Sequence, residues 1–258
     1  NFIVEILSSP IQPLVNLVKS LITEPVNLDL FKRLWEIIVY IISIFYGLIL
    51  FIAGFNFITS SYDIIKREKA KEWLRNSILM IIFVNISFIL YKLLVDISSI
   101  INNGMFSLVN NNLFLITIDN PSNFGLEVIL MAVYIIVLLL TIVLLGIRYL
   151  LVSIGLVLFP IGLAFNFFNP LKSYGKLILN LVITTIFIPI IFSIILLVCS
   201  KLLEIGFLSN FKIIITILAF SLIIIVMIII AIFVVMKSIF GLVRSDVMQG
   251  VNLIANKM

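Results

Sequence analysis

Residues 213–236 read IIITILAFSLIIIVMIIIAIFVVM, bounded by Lys212 and Lys237 and without a charge of their own. A hydrocarbon core of roughly 30 Å is matched by about 20 apolar residues in a helix, so this run is long enough to cross a bilayer. Eighteen of its twenty-four residues are Ile, Leu, Val or Phe. At roughly 0.3–0.6 kcal/mol apiece on the insertion scale, they favour the membrane by about 5–11 kcal/mol. Similar runs precede it. The expected fold class is therefore all-α: a polytopic integral membrane helical bundle.

Composition agrees. The 258-residue chain is 63% hydrophobic and 11% charged, with mean hydropathy +1.35, where a soluble domain is nearer half apolar and a quarter charged. Seventeen Lys and Arg against twelve Asp and Glu leave +5. In a membrane protein that surplus speaks first to orientation and second to an anionic partner. There is one cysteine, Cys199, and no histidine, which excludes an intramolecular disulfide and gives no thiol pair for zinc. No cofactor is expected. HExxH, GxSxG and Walker-type motifs are missing, and no span holds a carboxylate pair, so an enzyme is not expected. The near-absence of charge in the spans also argues against ion-coupled transport.

Three segments are expected: an N-terminal interfacial amphipathic segment (1–36), a transmembrane domain (37–236) and a cytoplasmic interfacial tail (237–258). In the first, Pro13 leads Leu14, Leu17, Val18, Leu21 and Ile22 at helical spacing, and Pro25 stops the run. A dozen residues cannot span, so this helix either lies in the interface or packs on the bundle. The first span covers roughly 37–58, where Ser43, Gly47 and Gly54 share a face that permits close helix approach. Asn56, Asn85, Asn180, Thr184 and Thr185 are expected to hydrogen-bond between helices.

Residues 60–77, SSYDIIKREKAKEWLRNS, are the most charged stretch. Lys66, Arg67, Lys69, Lys71 and Arg75 outnumber Asp63, Glu68 and Glu72, which marks a cytoplasmic loop. It is read either as a topology signal beside anionic lipids or as a docking site for a cytoplasmic ATPase or nucleic acid. A second span follows at about 78–95. Residues 97–126 hold no Lys or Arg and are rich in Asn, Ser and Gly, as expected of an external region; they lack the cations that dominate nucleic-acid affinity.

The region 128–168 carries a single charge, Arg148. Its length would make roughly 60 Å of helix, too much for one crossing, yet there are no loop residues near Gly146–Arg148 to divide it into two. A third option is one span to Arg148 and then a broken or re-entrant piece around Gly155, Pro160 and Gly162. Charge counting favours it, with eleven cations inside against six outside. The expectation is five full spans plus a re-entrant segment, with the N-terminus external and the C-terminus cytoplasmic. Six spans are the alternative. Arg148 either lines a polar path or binds a lipid phosphate or acidic partner, or else it snorkels at the cytoplasmic interface. Pro160 and Pro189 mark either hinges or packing devices. The last spans lie at about 177–199 and 213–236.

Two stretches carry a resemblance. GFNFITSSYDIIKREKAKEWLRNSILMII (54–82) resembles the hairpin of TrbC-like pilins. RYLLVSIGLVLFPIGLAFNFFNPLKSYGKLILNLVITTIFIPII (148–191) resembles the core of the TrbL-like polytopic inner-membrane subunit of type IV secretion and conjugation systems, and is similar in type to archaeal CedA-like DNA transfer channels. Arg148, Pro160, Lys172, Tyr174 and Lys176 fall on the matching pattern. The resemblance implies a channel or scaffold subunit, in the cytoplasmic membrane, of a conjugation-like machine that transfers DNA or protein. It also implies homo-oligomers and, as partners, other secretion subunits, cytoplasmic ATPases, lipids and transferred DNA. Small-solute or lipid transport and a non-conducting assembly scaffold are the rival expectations.

Overall fold

The computed structural model describes residues 11–60, 63–114, 124–168, 171–208 and 211–255, with backbone alone from 238 onward. Among these the chain is helical and has no strand. The α-helices are α1 (Ile11–Thr23), α2 (Lys32–Ile44), α3 (Tyr46–Thr59), α4 (Ile64–Asn85), α5 (Ser87–Phe106), α6 (Phe124–Phe167), α7 (Lys172–Leu202) and α8 (Lys212–Ala255). Short 3-10 turns stand at Leu28–Phe31 and Asn111–Leu113. Four stretches are long and apolar enough to cross a membrane: Leu28–Thr59, Val128–Phe167, Lys172–Leu202 and Lys212–Val234. The pair α4–α5, bent by 61° at Ile86, makes a fifth if its halves count as one span. These helices are consistent with a multi-pass membrane protein.

The region after Arg148 corrects the expectation of a broken or re-entrant segment. α6 is one uninterrupted helix of 44 residues, with Pro160 inside it, and it does not turn at Gly146–Arg148 as six spans would require. A proline withdraws one helical N–H, which neighbouring groups in an apolar bundle offset. The glycines there serve approach rather than bending. A Cβ on Gly155 would stand 2.5 Å from the Tyr91 hydroxyl oxygen, and one on Gly162 would stand 2.9 Å from a methyl of Ile178.

Three other boundaries differ. The charged stretch 60–77 is mostly not a loop, because helix α4 starts at Ile64 and runs through it. Asp63 caps that start, its carboxylate accepting the N–H groups of Ile65 (3.0 Å) and Lys66 (3.3 Å), which satisfies two donors that a helix N-terminus leaves open. The region 97–126 is helical as far as Phe106; its residues 115–123 lie outside the described part. Its polar residues bond helix to helix: Ser98 Oγ donates to the Ile186 carbonyl at 2.7 Å, and Ser193 Oγ to Asn102 Oδ1 at 3.3 Å. The tail continues α8 to Ala255 without a break.

The chain divides into two compact units. The first gathers the described residues up to Val26, Val95–Leu150 and Thr185–Ile232. Here α1 packs on the bundle, burying Ile11, Val15, Val18 and Ile22 in a cluster with Tyr134, Leu138, Leu145, Phe192 and Phe220. Each such aliphatic side chain contributes roughly 1.5–3 kcal/mol relative to exposure in water. Polar bonds tie the same unit, one buried, from Thr216 Oγ1 to the Leu113 carbonyl (3.0 Å), and two part-buried, from Asn110 N–H to Ser200 Oγ (2.7 Å) and from Ser99 Oγ to the Thr23 carbonyl (2.9 Å).

The second unit holds Asn27–Leu94, Leu151–Thr184 and the chain from Phe233. Aromatic pairs dominate it: Trp35 with Phe88 (5.4 Å between centroids), Phe83 with Phe167 (5.5 Å) and Tyr91 edge-on to Phe159 (5.4 Å). The Trp35 indole N–H donates to Ser87 Oγ at 2.8 Å, beside the α4–α5 bend. Gly47 and Gly54, read as a close-approach face, have open space where a Cβ would stand. Asn85 Nδ2 donates within its own helix, to the Ile81 carbonyl at 2.7 Å, and the Asn85 side chain also meets the Tyr46 hydroxyl of α3.

Candidate functional site

Arg148 sits in the first unit, 8% exposed. Its guanidinium is engaged by backbone carbonyls of two other helices. Its Nε donates to the Thr185 carbonyl at 3.4 Å and its Nη1 to the Leu21 carbonyl at 3.1 Å. Both acceptors are backbone carbonyls whose regular i+4 position is a proline, Pro25 for Leu21 and Pro189 for Thr185. Leu21 is in the last turn of α1, where helix carbonyls run out of N–H partners. Thr185 lies four residues before Pro189, whose ring nitrogen carries no hydrogen to close that bond. A guanidinium has five donors in a planar fork and suits this double duty. Arg148 therefore binds α1, α6 and α7 together. The local sequence supplies both acceptors, through the Pro25 stop after α1 and the proline within α7.

The other candidates on the same sequence pattern belong to the second unit. Pro160 is buried in α6. Lys172, Tyr174 and Lys176 stand exposed on the first turns of α7. Between Tyr174 and Lys176, Gly175 is pressed against the end of α6, and a Cβ there would run into the backbone of Phe165 and Asn166. The requirement in this turn is thus for a glycine, while the flanking Lys172, Tyr174 and Lys176 side chains point outward.

The five basic residues of the former loop are all exposed on α4. Helical periodicity divides them into two stripes: Arg67, Lys71 and Arg75 at i, i+4 and i+8, and Lys66 with Lys69 on nearly the opposite side. The second stripe faces the last turn of α3 across a cleft of about 620 Å³. Asn56, Thr59 and Ser60 line it from the α3 side, and Lys66, Lys69 and Trp73 from α4. Buried Ala70 forms part of the wall. Asp63, beside it, is engaged: the Lys66 and Ile65 N–H groups and the Lys66 ammonium at 3.7 Å hold its carboxyl below the ordinary carboxylate range.

Sequence reasoning missed this cleft because 60–77 read as loop. The signal was present in Asp63, an N-cap type followed by two apolar residues and a helical spacing of Lys66, Ala70 and Trp73. Among the described residues no three His, Cys, Asp or Glu side chains gather as a metal site would need. Compared with protein-family models, with curated proteins and with solved structures, the chain finds no match in any of the three.

Proposed function

We propose that the chain is a multi-pass membrane protein serving as the channel or scaffold subunit of a conjugation-like transfer machine for DNA or protein. The observation that carries this reading is the build of residues 148–191, the stretch with the TrbL-like resemblance. It forms two long apolar helices that approach closely at Gly175, and Arg148 bonds one of them to the other and to α1. A helix pair of this kind, whose interior among the described residues holds no carboxylate and whose one buried cation, Arg148, is engaged by backbone carbonyls, suits a structural wall better than a solute-binding transporter or an intramembrane enzyme.

The path of the chain fits the same reading. Five crossings (α2–α3, the bent α4–α5, α6, α7 and α8) return the Lys66–Arg75 helix start, Lys172, Lys176 and the tail to one side. By the positive-inside rule that side is cytoplasmic, and the N-terminus is external. The membrane is the cytoplasmic one of the cell. Exposed Ile44, Phe51, Phe55, Ile229 and Phe233 give α2, α3 and α8 apolar outer faces for lipid or for further copies. A conduit would form between copies, and separate cytoplasmic ATPases would supply the energy.

The test is genetic and biochemical together. Deleting the gene should abolish transfer in a mating or uptake assay, and the wild-type gene should restore it. Single-cysteine probes at Asn110 and Gly206 should cross-link to the substrate during active transfer if the subunit is a conduit; transfer without cross-links would mean a scaffold. Saturable uptake of a small solute by liposomes holding the purified chain would overturn the reading.

A further inference from the structure

The cleft between α3 and α4 has the chemistry of a phosphate-headgroup site. Among the described residues its charged lining groups are the ammonium groups of Lys66 and Lys69, one turn apart, the first of them 3.7 Å from the Asp63 carboxylate. Beside them stand the Thr59 and Ser60 hydroxyls and the Asn56 amide. Trp73, half-buried with its ring 6.3 Å from that of Phe168, closes the α4 side. An indole at this place is the side chain that favours the headgroup level of a bilayer.

The cleft also continues into apolar surface. Ile52, Phe55, Asn56 and Thr59 stand at i, i+3, i+4 and i+7 of one α3 face. The two polar residues line the cleft, whereas Ile52 and Phe55 are 39% and 59% exposed. A ligand matching both parts needs an anionic head and a hydrocarbon tail.

We propose that this cleft binds an anionic phospholipid, with its phosphate between Lys66 and Lys69 and an acyl chain along Phe55 and Ile52. The assignment deepens the membrane placement proposed above and needs nothing of the transfer function. It separates the basic residues by role: Lys66 and Lys69 hold one lipid, while Arg67, Lys71 and Arg75 remain available to a cytoplasmic partner.

The test titrates the purified full-length chain in detergent with phosphatidylglycerol or phosphatidylcholine, read by native mass spectrometry. Phosphatidylglycerol should bind saturably and phosphatidylcholine weakly. The double variant Lys66→Gln/Lys69→Gln should lower phosphatidylglycerol affinity about thirtyfold, from the contribution of each lysine near an anionic headgroup. Lys71→Gln/Arg75→Gln removes the same charge from the other stripe and should leave the affinity within about threefold. Equal losses in the two variants, or equal binding of the two lipids, would overturn the site. Displacement of the lipid by millimolar inorganic phosphate would overturn the lipid assignment in favour of a free-anion site. Recovery of each variant in the membrane fraction, measured alongside, separates failure of the site from failure of the membrane placement.

Discussion

Arg148 donates from Nε to the carbonyl of Thr185 at 3.4 Å, and Thr185 is the residue whose helical partner is Pro189. A side chain from α6 thus takes the place of a backbone donor missing from α7. The same guanidinium reaches Leu21 at 3.1 Å, so three helices depend on one residue.

Replacing Arg148 with Met should therefore destabilise the protein by about 2–4 kcal/mol, since buried carbonyls lose charged donors. Lys at this position should recover only part, because a single ammonium cannot reproduce the planar fork. Pro189→Ala returns an N–H to the Thr185 carbonyl. In a double-mutant cycle read by unfolding in detergent, Arg148→Met should cost less in the Pro189→Ala background than alone. Strict additivity would show that the two residues do not share this acceptor.

The glycines predict a rank order. Gly175→Ala should be the most damaging, by about 3 kcal/mol or more, because its Cβ meets the Phe165 and Asn166 backbone, which cannot step aside. Gly155→Ala should cost about 1–3 kcal/mol, since the Tyr91 ring must shift and its hydroxyl loses hold of the Val152 carbonyl. Gly47→Ala and Gly54→Ala face open space and should be neutral or slightly stabilising through better helix propensity. Melting temperatures of the four variants check the order, and a Gly54 variant worse than Gly175 would refute it.

The cap at the start of α4 is sensitive to acid. The folded-state pKa of Asp63 lies below its ordinary 3.8, so the stabilisation is complete above that value. It is lost as pH falls through the lower, folded value. Amide exchange at Ile65 and Lys66, whose N–H groups the carboxylate accepts, should quicken in Asp63→Ala at neutral pH. In the wild type, protection there relative to mid-helix amides should fall only in that acid range.

Topology is open to direct labelling. In a Cys199→Ser background, Lys71→Cys and Lys237→Cys should react with a membrane-impermeant maleimide from the same side, and Glu204→Cys from the other. Labelling of positions 71 and 237 from opposite sides would remove the five-crossing path and weaken the proposed kinship.

Much of this architecture was legible in the letters. The charge-free 213–236 run, the i, i+3, i+4 spacing of α1 and the apolar length of 128–168 each announce a helix through composition and period. What covers a helix was not legible: Val15 and Val18 look alike whether they meet lipid or Leu138. The glycines and proline of 155–162 were misread as a break because sequence shows their permissiveness but not the Tyr91 and Ile178 side chains that require them. Ser98 and Asn102 signal a loop by residue type, and only tertiary partners on α7 reveal them as helix-to-helix bonds. The bend at Ile86 has no glycine or proline to mark it. Of the candidate site, Arg148 stood out as the lone charge, but its acceptors lie 127 and 37 residues away in the chain.

Those separations set an order of events in biogenesis. On the membrane reading proposed above, Leu21 leaves the ribosome 127 residues ahead of Arg148, whereas Thr185 follows it by 37. The N-terminal helix is thus the first shelter open to that cation, and a chain lacking residues 11–23 would leave the α6 guanidinium without its Leu21 acceptor until α7 arrived.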